Sequence, residues 1–94
     1  MKMIVYAVEA AERPLLERWS RQFGWELTLL AEKPEQSNAV QAEGMDAVNV
    51  LSSTYITPEL LDAYCAGGVK MVVSRTVGVE HIDVAYANAI GIAV

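Results

Sequence analysis

The chain has few of the residues on which several common functions depend. It contains one cysteine and one histidine among 94 residues, which excludes an internal disulfide and gives no His, Cys or acidic pair with metal-ligand spacing. Seven Lys and Arg residues stand against 12 Asp and Glu residues, for a net charge of −5. Proteins that bind nucleic acid need clustered Lys and Arg to neutralise phosphates. We therefore expect no metal site and no nucleic-acid partner.

Long hydrophobic runs are also missing. The apolar stretch at the N-terminus breaks at Glu9, so it is too short for a secretory signal peptide and far too short to span a bilayer. We expect no membrane partner and a cytoplasmic location. The sequence has no G-x-G-x-x-G motif and no P-loop, so we predict that this chain itself binds no dinucleotide and no nucleoside triphosphate.

What the chain does contain is an alternation of short apolar runs with helical patterns. Strands are predicted at residues 3–8, 25–31, 47–51 and 69–74, and a fifth strand is predicted to begin at Ile92. Strands that alternate with helices form parallel sheets through right-handed crossovers. Ninety-four residues make one domain. We therefore predict an α/β fold with a doubly wound parallel sheet. The flavodoxin-like strand order 2-1-3-4-5 is the expectation that this fold class carries, since the order itself is not in the sequence.

The first predicted helix begins near Pro14, which suits a first turn, and ends at Gly24. Its apolar residues fall on one face, which predicts that this face packs on the sheet. The stripe consists of Leu15, Leu16, Trp19 and Phe23.

Two further helices have clear end signals. Thr57-Pro58-Glu59 predicts a helix start with a side-chain cap and a proline in the first turn, and Gly67-Gly68 predicts its end. Asp83 is predicted to cap a last helix that stops at Gly91. Residues 33–44 are polar and have only a weak helical pattern.

The single cysteine lies within an apolar helical stretch. Cys65 follows Leu60 and Leu61 on the helix predicted to begin at Thr57-Pro58-Glu59, where a buried small hydrophobic side chain is the usual reason for a cysteine. No His or Lys flanks it to activate the thiol. We predict that Cys65 is buried and unreactive.

The last three residues are predicted to begin an apolar strand with no following helix to cover it. We therefore expect a domain truncated at or in its last strand, with apolar surface that a second copy would cover. A homo-oligomer, such as a dimer, is the predicted result.

Two common ligand sites of this fold do not match the residues at the predicted strand ends. A phospho-receiver domain needs clustered carboxylates after the first strand and an aspartate after the third, but Glu9 stands alone and Asp46 precedes the third strand. A flavin-phosphate loop needs hydroxyls and glycines where the chain has Glu9-Ala10-Ala11-Glu12. Neither site is predicted.

Residues 74–83 are the most informative segment. They read as a strand end, a glycine-containing turn and a capped helix. Gly78 allows the backbone to approach a ligand closely, and exposed N–H groups in such a turn can bind a carboxylate. A glycine between a strand and a helix is also commonly a turn without any ligand. The residues by themselves leave both interpretations open.

The run Arg75-Thr76-Val77-Gly78-Val79-Glu80-His81-Ile82-Asp83, followed by Ala85 and Gly91-Ile92-Ala93-Val94, resembles a segment of the D-isomer-specific 2-hydroxyacid dehydrogenases. The family pattern is R-x-x-G-x-[ND]-[NH]-I-D…A…G-I-x-V. The form with Thr-Val before the glycine and His before Ile-Asp is most similar to D-lactate dehydrogenases. Glu80 departs from the family, which usually has Asn or Asp there.

The resemblance implies a substrate site without catalytic residues. Backbone at the positions matching Val77 and Gly78 holds the carboxylate of a 2-oxo acid in this family, and the position matching Tyr55 helps shape the side-chain pocket. The catalytic Arg, Glu and His and the glycine-rich NAD motif are expected outside these 94 residues. NAD is therefore a cofactor of the parent enzyme, with none expected on this chain.

The resemblance also gives three conspicuous residues structural roles. Arg75 is expected to tie down the end of its strand, His81 to pack or hydrogen-bond locally, and Asp83 to cap a helix. None of the three is expected to be catalytic.

Two functions follow as hypotheses. In the first, residues 1–94 are the substrate domain of an NAD-dependent D-2-hydroxyacid dehydrogenase, without its cofactor-binding domain and inactive alone. The parent would reversibly reduce a 2-oxo acid such as pyruvate to the D-2-hydroxy acid. In the second, the chain is a freestanding or excised flavodoxin-like module that self-associates and has no catalysis.

Overall fold

The structure, a computed structural model, describes residues 1–75 and 78–94. Strands, α-helices and one 3-10 helix alternate along the chain. In chain order they are β1 (Lys2–Val5), α1 (Arg13–Phe23), β2 (Glu26–Leu29), the 3-10 helix (Gln36–Ala42), β3 (Ala47–Val50), α2 (Pro58–Ala66), β4 (Met71–Ser74) and α3 (Val84–Ala89).

The strands form one parallel sheet in the order β2-β1-β3-β4. Met3 of β1 pairs with Leu27 of β2 on one side and with Ala47 of β3 on the other, and Ala47 pairs with Met71 of β4. The α/β class and the order of the first four strands are therefore confirmed. The strands are shorter than predicted because their outer apolar residues lie in the connecting loops.

The prediction of a fifth strand is wrong for the described residues. Ala93 forms a single parallel bridge with Met71. In this bridge Val72 N–H donates to Ala93 O at 2.8 Å, and Ala93 N–H donates to Lys70 O at 2.9 Å. One bridged residue does not make a ladder, although it lies where a fifth strand would pair with β4.

The sheet has a different core on each face because alternate side chains of a strand point in opposite directions. On one face, Ile4, Val48 and Val72 pack in a cluster with residues of α2 and α3, including Leu61 and Ala87. This is the larger core. On the other face, a smaller buried cluster lies under α1 and consists of Met3, Val5, Val8 and Ala47.

Helix α1 covers its face of the sheet incompletely. Leu16 and Trp19 pack on the smaller core, but Leu15 is 63% exposed, Phe23 is 57% exposed, and no residue of α1 is buried. The predicted packing of the apolar stripe is therefore right for its middle and wrong for its ends. The reason is that α1 lies beside β1 and β2 and leaves an apolar groove of about 530 Å³ over β3 and β4. The groove is lined by Met3, Leu15, Leu16, Trp19, Trp25, Asn49, Met71, Val73 and Arg75.

The predicted helix ends are confirmed. Pro14 lies in the first turn of α1, and Gly24 ends it with a left-handed φ of 72°. Thr57 Oγ1 accepts the Leu60 N–H at 3.1 Å at the start of α2. Asp83 Oδ1 accepts the Tyr86 N–H at 3.0 Å at the start of α3. The weak helical pattern of residues 33–44 corresponds to the 3-10 helix.

The prediction that Cys65 is buried is wrong. Its side chain is exposed, and Sγ lies 3.4 Å from the Ile90 carbonyl oxygen. The core positions of α2 belong to Leu60, Leu61 and Tyr64. An apolar neighbourhood in sequence therefore did not identify which helix face carries the cysteine.

Candidate functional site

The carboxyl ends of β1 and β3 mark the point where the strand order reverses, since β1 leads to β2 on one side and β3 leads to β4 on the other. Doubly wound sheets bind their ligands at such a crevice. Here the Arg75 side chain occupies it, 11% exposed. Its Nη1 donates to Asn49 Oδ1 at 2.8 Å, and its Nη2 donates to the carbonyls of Tyr6 at 2.9 Å and Ala7 at 3.2 Å.

An ion pair completes the Arg75 site. Arg75 Nε lies 3.0 Å from Glu12 Oε2, at the start of α1. The Glu9 N–H donates to Glu12 Oε1 at 3.0 Å, and this bond together with Arg75 holds the pKa of the Glu12 carboxyl below its ordinary value. Because the guanidinium is bound to protein groups on all of its nitrogens, Arg75 is not available to bind a substrate. The expected structural role of Arg75 fits these contacts.

The same region does not fit NAD. A dinucleotide site needs a glycine-rich turn after a strand so that helix N–H groups reach the pyrophosphate. Here the turn after β1 is Glu9-Ala10-Ala11-Glu12, and the Glu12 carboxylate lies at the N-terminal end of α1. Two acidic side chains at this point oppose a pyrophosphate.

Gly78 lies in the turn that follows the carboxyl end of β4. Its φ of 87° is in the left-handed region, which glycine adopts at little cost and other residues avoid. The Glu80 carboxylate lies against it, since a Cβ added to Gly78 would be 3.0 Å from Glu80 Cδ. Val77, the other predicted carboxylate-binding residue, lies outside the described residues.

His81 joins this turn to two neighbouring parts of the chain. Its side chain is buried, at 7% exposure, and Nε2 lies 3.1 Å from Ser74 Oγ at the end of β4. Its carbonyl oxygen accepts the Ile56 N–H at 2.7 Å, and Ile82 forms a parallel bridge with Ile56. The prediction that His81 packs and hydrogen-bonds locally is confirmed.

Tyr55 lies in the loop after β3, next to Ile56, whose N–H donates to the His81 carbonyl oxygen. Its side chain is 52% exposed. The bond between Ile56 and His81 brings the loops that carry Tyr55 and Gly78 together. Gly78 borders a cavity of about 330 Å³ beside β4, and Tyr55 is not among the residues that line it.

Reasoning from the sequence missed Glu12 and Asn49 as partners of Arg75. Both come from distant parts of the chain, 63 and 26 residues away. A buried arginine at the end of a parallel strand needs a carboxylate, and the first strand–helix connection offers Glu9 and Glu12. That is the signal from which the pair could have been found.

Within residues 1–75 and 78–94, no helix is long and apolar enough to cross a membrane.

Comparison with known proteins gives consistent results. The family model of the D-isomer specific 2-hydroxyacid dehydrogenase catalytic domain matches residues 3–94. A D-lactate dehydrogenase of Lactiplantibacillus pentosus is 34% identical over 93 residues, which are 98% of this chain and 28% of that protein. A D-2-hydroxyacid dehydrogenase (NAD(+)) of Clostridioides difficile is 29% identical over 94 residues, covering 96% of this chain and 28% of that protein.

Solved structures agree with the sequence relatives. D-lactate dehydrogenase from Escherichia coli superimposes with a TM-score of 0.92 at 25% identity, covering 98% of this chain and 29% of that one. D-2-hydroxyisocaproate dehydrogenase gives a TM-score of 0.88 at 27% identity, with coverages of 98% and 28%. The chain thus spans somewhat more than a quarter of the length of these relatives. From the match over residues 3–94 and the shared fold, the chain belongs to the D-isomer-specific 2-hydroxyacid dehydrogenase family, whose catalytic domain it matches.

Proposed function

We propose that this chain is the substrate domain of an NAD-dependent D-2-hydroxyacid dehydrogenase and that it holds the carboxylate of a 2-oxo acid such as pyruvate. The observation that carries the proposal is the Gly78 turn at the carboxyl end of β4, with φ in the left-handed region. A turn of this kind directs backbone N–H groups toward an anion without a cationic side chain. The one arginine beside it is already bound to Glu12.

The position of the Gly78 turn also suggests roles for Val77 and Tyr55. Val77 and Gly78 supply the backbone of the carboxylate site, and Tyr55 forms part of the wall that contacts the rest of the acid. The half-exposed ring of Tyr55 is accessible to a ligand. Its loop is held to the Gly78 turn through the Ile56 N–H and the His81 carbonyl. In this proposal the anion position comes from the Gly78 turn and the aromatic wall from Tyr55, on a loop bonded to that turn.

We propose that reduction itself needs residues beyond this chain. The connection after β1 does not fit NAD, and Arg75 and His81, which have the right chemistry for catalysis, are bound to Glu12 and Ser74. Relatives include proteins named as NAD-dependent, and the chain spans 28% of their length. In a dehydrogenase of that length, NAD would bind the remaining part and the nicotinamide would deliver hydride to the 2-oxo carbon.

A titration of the isotope-labelled chain with pyruvate tests the binding proposal. We expect the Gly78 and Tyr55 backbone amide resonances to shift and saturate. A Gly78→Ala variant should lose the shifts, whereas a Gly91→Ala variant, with a similar φ of 90° at the end of α3, should keep them. Shifts centred on other parts of the chain would refute the assignment.

An NADH oxidation assay tests the claim that the chain is inactive alone. The folded chain with pyruvate and NADH should give no turnover, and an intact family member under the same conditions is the positive control. Clear turnover that depends on NADH would show that a catalytic site lies within these residues, contrary to the proposal.

Self-association is the second candidate, and the exposed apolar face of α1 favours it. The groove over β3 and β4 and the exposed side chains of Leu15 and Phe23 form an apolar surface of the kind that interfaces bury. We propose that a second copy covers it. Sedimentation should show a dimer for the chain and a monomer for Leu15→Glu, while Gln22→Glu, which adds the same charge to an exposed polar position of α1, should stay dimeric. A monomeric wild-type chain would refute this candidate.

A further inference from the structure

The apolar groove beside α1 has one polar side chain in its floor. Alternate residues of a strand point to the same face of the sheet, and on the α1 face the residues of the described strands are apolar apart from Asn49. Asn49 is 6% exposed and lines the groove together with Met3 of the neighbouring strand β1. The groove volume of about 530 Å³ lies within the range of sites that bind small molecules.

The Asn49 side chain has a strong hydrogen-bond partner on its oxygen and a weak one on its nitrogen. Oδ1 accepts a hydrogen bond from Arg75 Nη1 at 2.8 Å. Nδ2 carries two donor hydrogens, and its partner is the Met3 sulfur at 3.9 Å, which is a weak acceptor. Arg75 needs an acceptor only, so its bond to Asn49 makes no use of the Nδ2 donors.

Buried donors are nearly always paired in folded proteins. Within residues 1–75 and 78–94, Asn49 Nδ2 has no oxygen or nitrogen acceptor. Because Asn49 and Met3 both line the groove, an acceptor on a molecule bound there could reach this donor. The position of Nδ2 therefore points to a ligand with a hydrogen-bond acceptor.

The charges at the groove favour an uncharged ligand. Among the described lining residues the charged one is Arg75, and Arg75 Nε already lies 3.0 Å from the Glu12 carboxylate. The remaining walls are apolar and include both tryptophans of the chain, Trp19 and Trp25. A charged ligand would lose its hydration against these walls without gaining a free counter-charge.

We propose that the groove binds a small uncharged compound with an aromatic or branched apolar body and a carbonyl acceptor at one end. The apolar body packs against Trp19 and Trp25, and the carbonyl oxygen accepts a hydrogen bond from Asn49 Nδ2. This site goes beyond the proposed carboxylate site, since neither Gly78 nor Tyr55 lines the groove.

Two compounds of the same shape test the proposal on the isotope-labelled chain. Acetophenone carries a carbonyl oxygen, and ethylbenzene replaces that carbonyl with a methylene group. Both should shift the indole N–H resonances of Trp19 and Trp25, whereas the Asn49 side-chain amide should shift further downfield with acetophenone. A second copy over the groove would compete with the ligand, so the titration uses the lowest chain concentration that gives a signal. Absence of indole shifts with acetophenone, or equal Asn49 shifts with both compounds, would overturn the proposal.

An Asn49→Asp variant tests the donor separately. It keeps an acceptor for Arg75 and removes the Nδ2 donor, so acetophenone should bind about fivefold more weakly or worse, while ethylbenzene should bind as before. Asn88→Asp adds the same charge at an exposed position of α3 and should change neither affinity. If Asn49→Asp does not fold, the comparison of the two compounds on the unchanged chain still decides. Equal weakening of both compounds by Asn49→Asp, or no weakening of acetophenone, would refute the role of Asn49 and with it the site.

Discussion

Substitution of Arg75 by methionine, which has a similar length and no N–H groups, should strongly destabilise the fold. Nη1 and Nη2 donate to Asn49 at 2.8 Å and to Tyr6 at 2.9 Å, and hydrogen bonds of this charge-assisted kind contribute about 1.5 kcal/mol each at the low end of their range. The partly exposed ion pair with Glu12 adds at most about 1 kcal/mol. The free energy of unfolding should fall by about 3 kcal/mol, from a total of roughly 5–15 kcal/mol.

Urea unfolding followed by circular dichroism measures this loss. With an m-value of about 1.5 kcal/mol/M, the midpoint should fall by about 2 M. Glu12→Gln is the matched control, because it removes the ion pair and leaves the bonds to Asn49 and Tyr6; it should cost about 1 kcal/mol or less. A cost below about 1 kcal/mol for Arg75→Met, or a cost of Glu12→Gln equal to that of Arg75→Met, would refute this role of Arg75.

Three further predictions concern single contacts. The pKa of the Glu12 carboxyl is lowered in the folded state, so its contribution to stability is present above the ordinary value of 4.5 and is lost as the pH falls through the folded pKa. Between about pH 6 and about pH 3 the free energy of unfolding in urea should therefore fall less for Glu12→Gln than for the unchanged chain. Equal losses in the two proteins would contradict this. Gly78→Ala should lower the free energy of unfolding by about 1 kcal/mol because of the positive φ at this position. The loss should be close to that of Gly91→Ala, because the flexible end of the Glu80 side chain can move away from the new methyl group. A much larger loss in thermal unfolding would mean that the Glu80 side chain is fixed. Thr57→Ala should cost about 1 kcal/mol through loss of the α2 cap, measured by urea unfolding, and a neutral result would mean that water replaces the hydroxyl.

Local signals in the sequence predicted much of the fold. The strand order, which the structure has for the first four strands, was an expectation that came from the α/β fold class rather than from the residues. The helix ends at Gly24, Thr57 and Asp83 follow from residues that cap or end helices. These features depend on neighbours in sequence, which is why a single chain suffices to predict them. The fifth strand failed because pairing at residues 92–94 is limited to the one bridge between Ala93 and Met71.

Side-chain environments were harder to predict. Cys65 and the ends of the α1 stripe have apolar sequence neighbours but are exposed, since exposure depends on which elements lie opposite in space. The contacts of Arg75 join residues up to 69 positions apart; the acidic residues after β1 indicate a carboxylate partner, but no pattern along the chain specifies the bonds to Asn49 and to the Tyr6 carbonyl. Gly78 and Glu80 are two residues apart in sequence, and their contact forms at a positive φ of Gly78. A glycine in the sequence allows this φ but does not require it.

The central claim is that Gly78 holds the carboxylate of a 2-oxo acid. The most direct test compares pyruvate with methyl pyruvate, its uncharged ester, in titrations of the isotope-labelled chain monitored at the Gly78 amide. Both compounds carry the 2-oxo group and the methyl group, so they differ at the carboxylate. We expect a saturable shift of Gly78 with pyruvate and none with methyl pyruvate at the same concentrations. Equal shifts with the two compounds, or no shift with pyruvate, would contradict it.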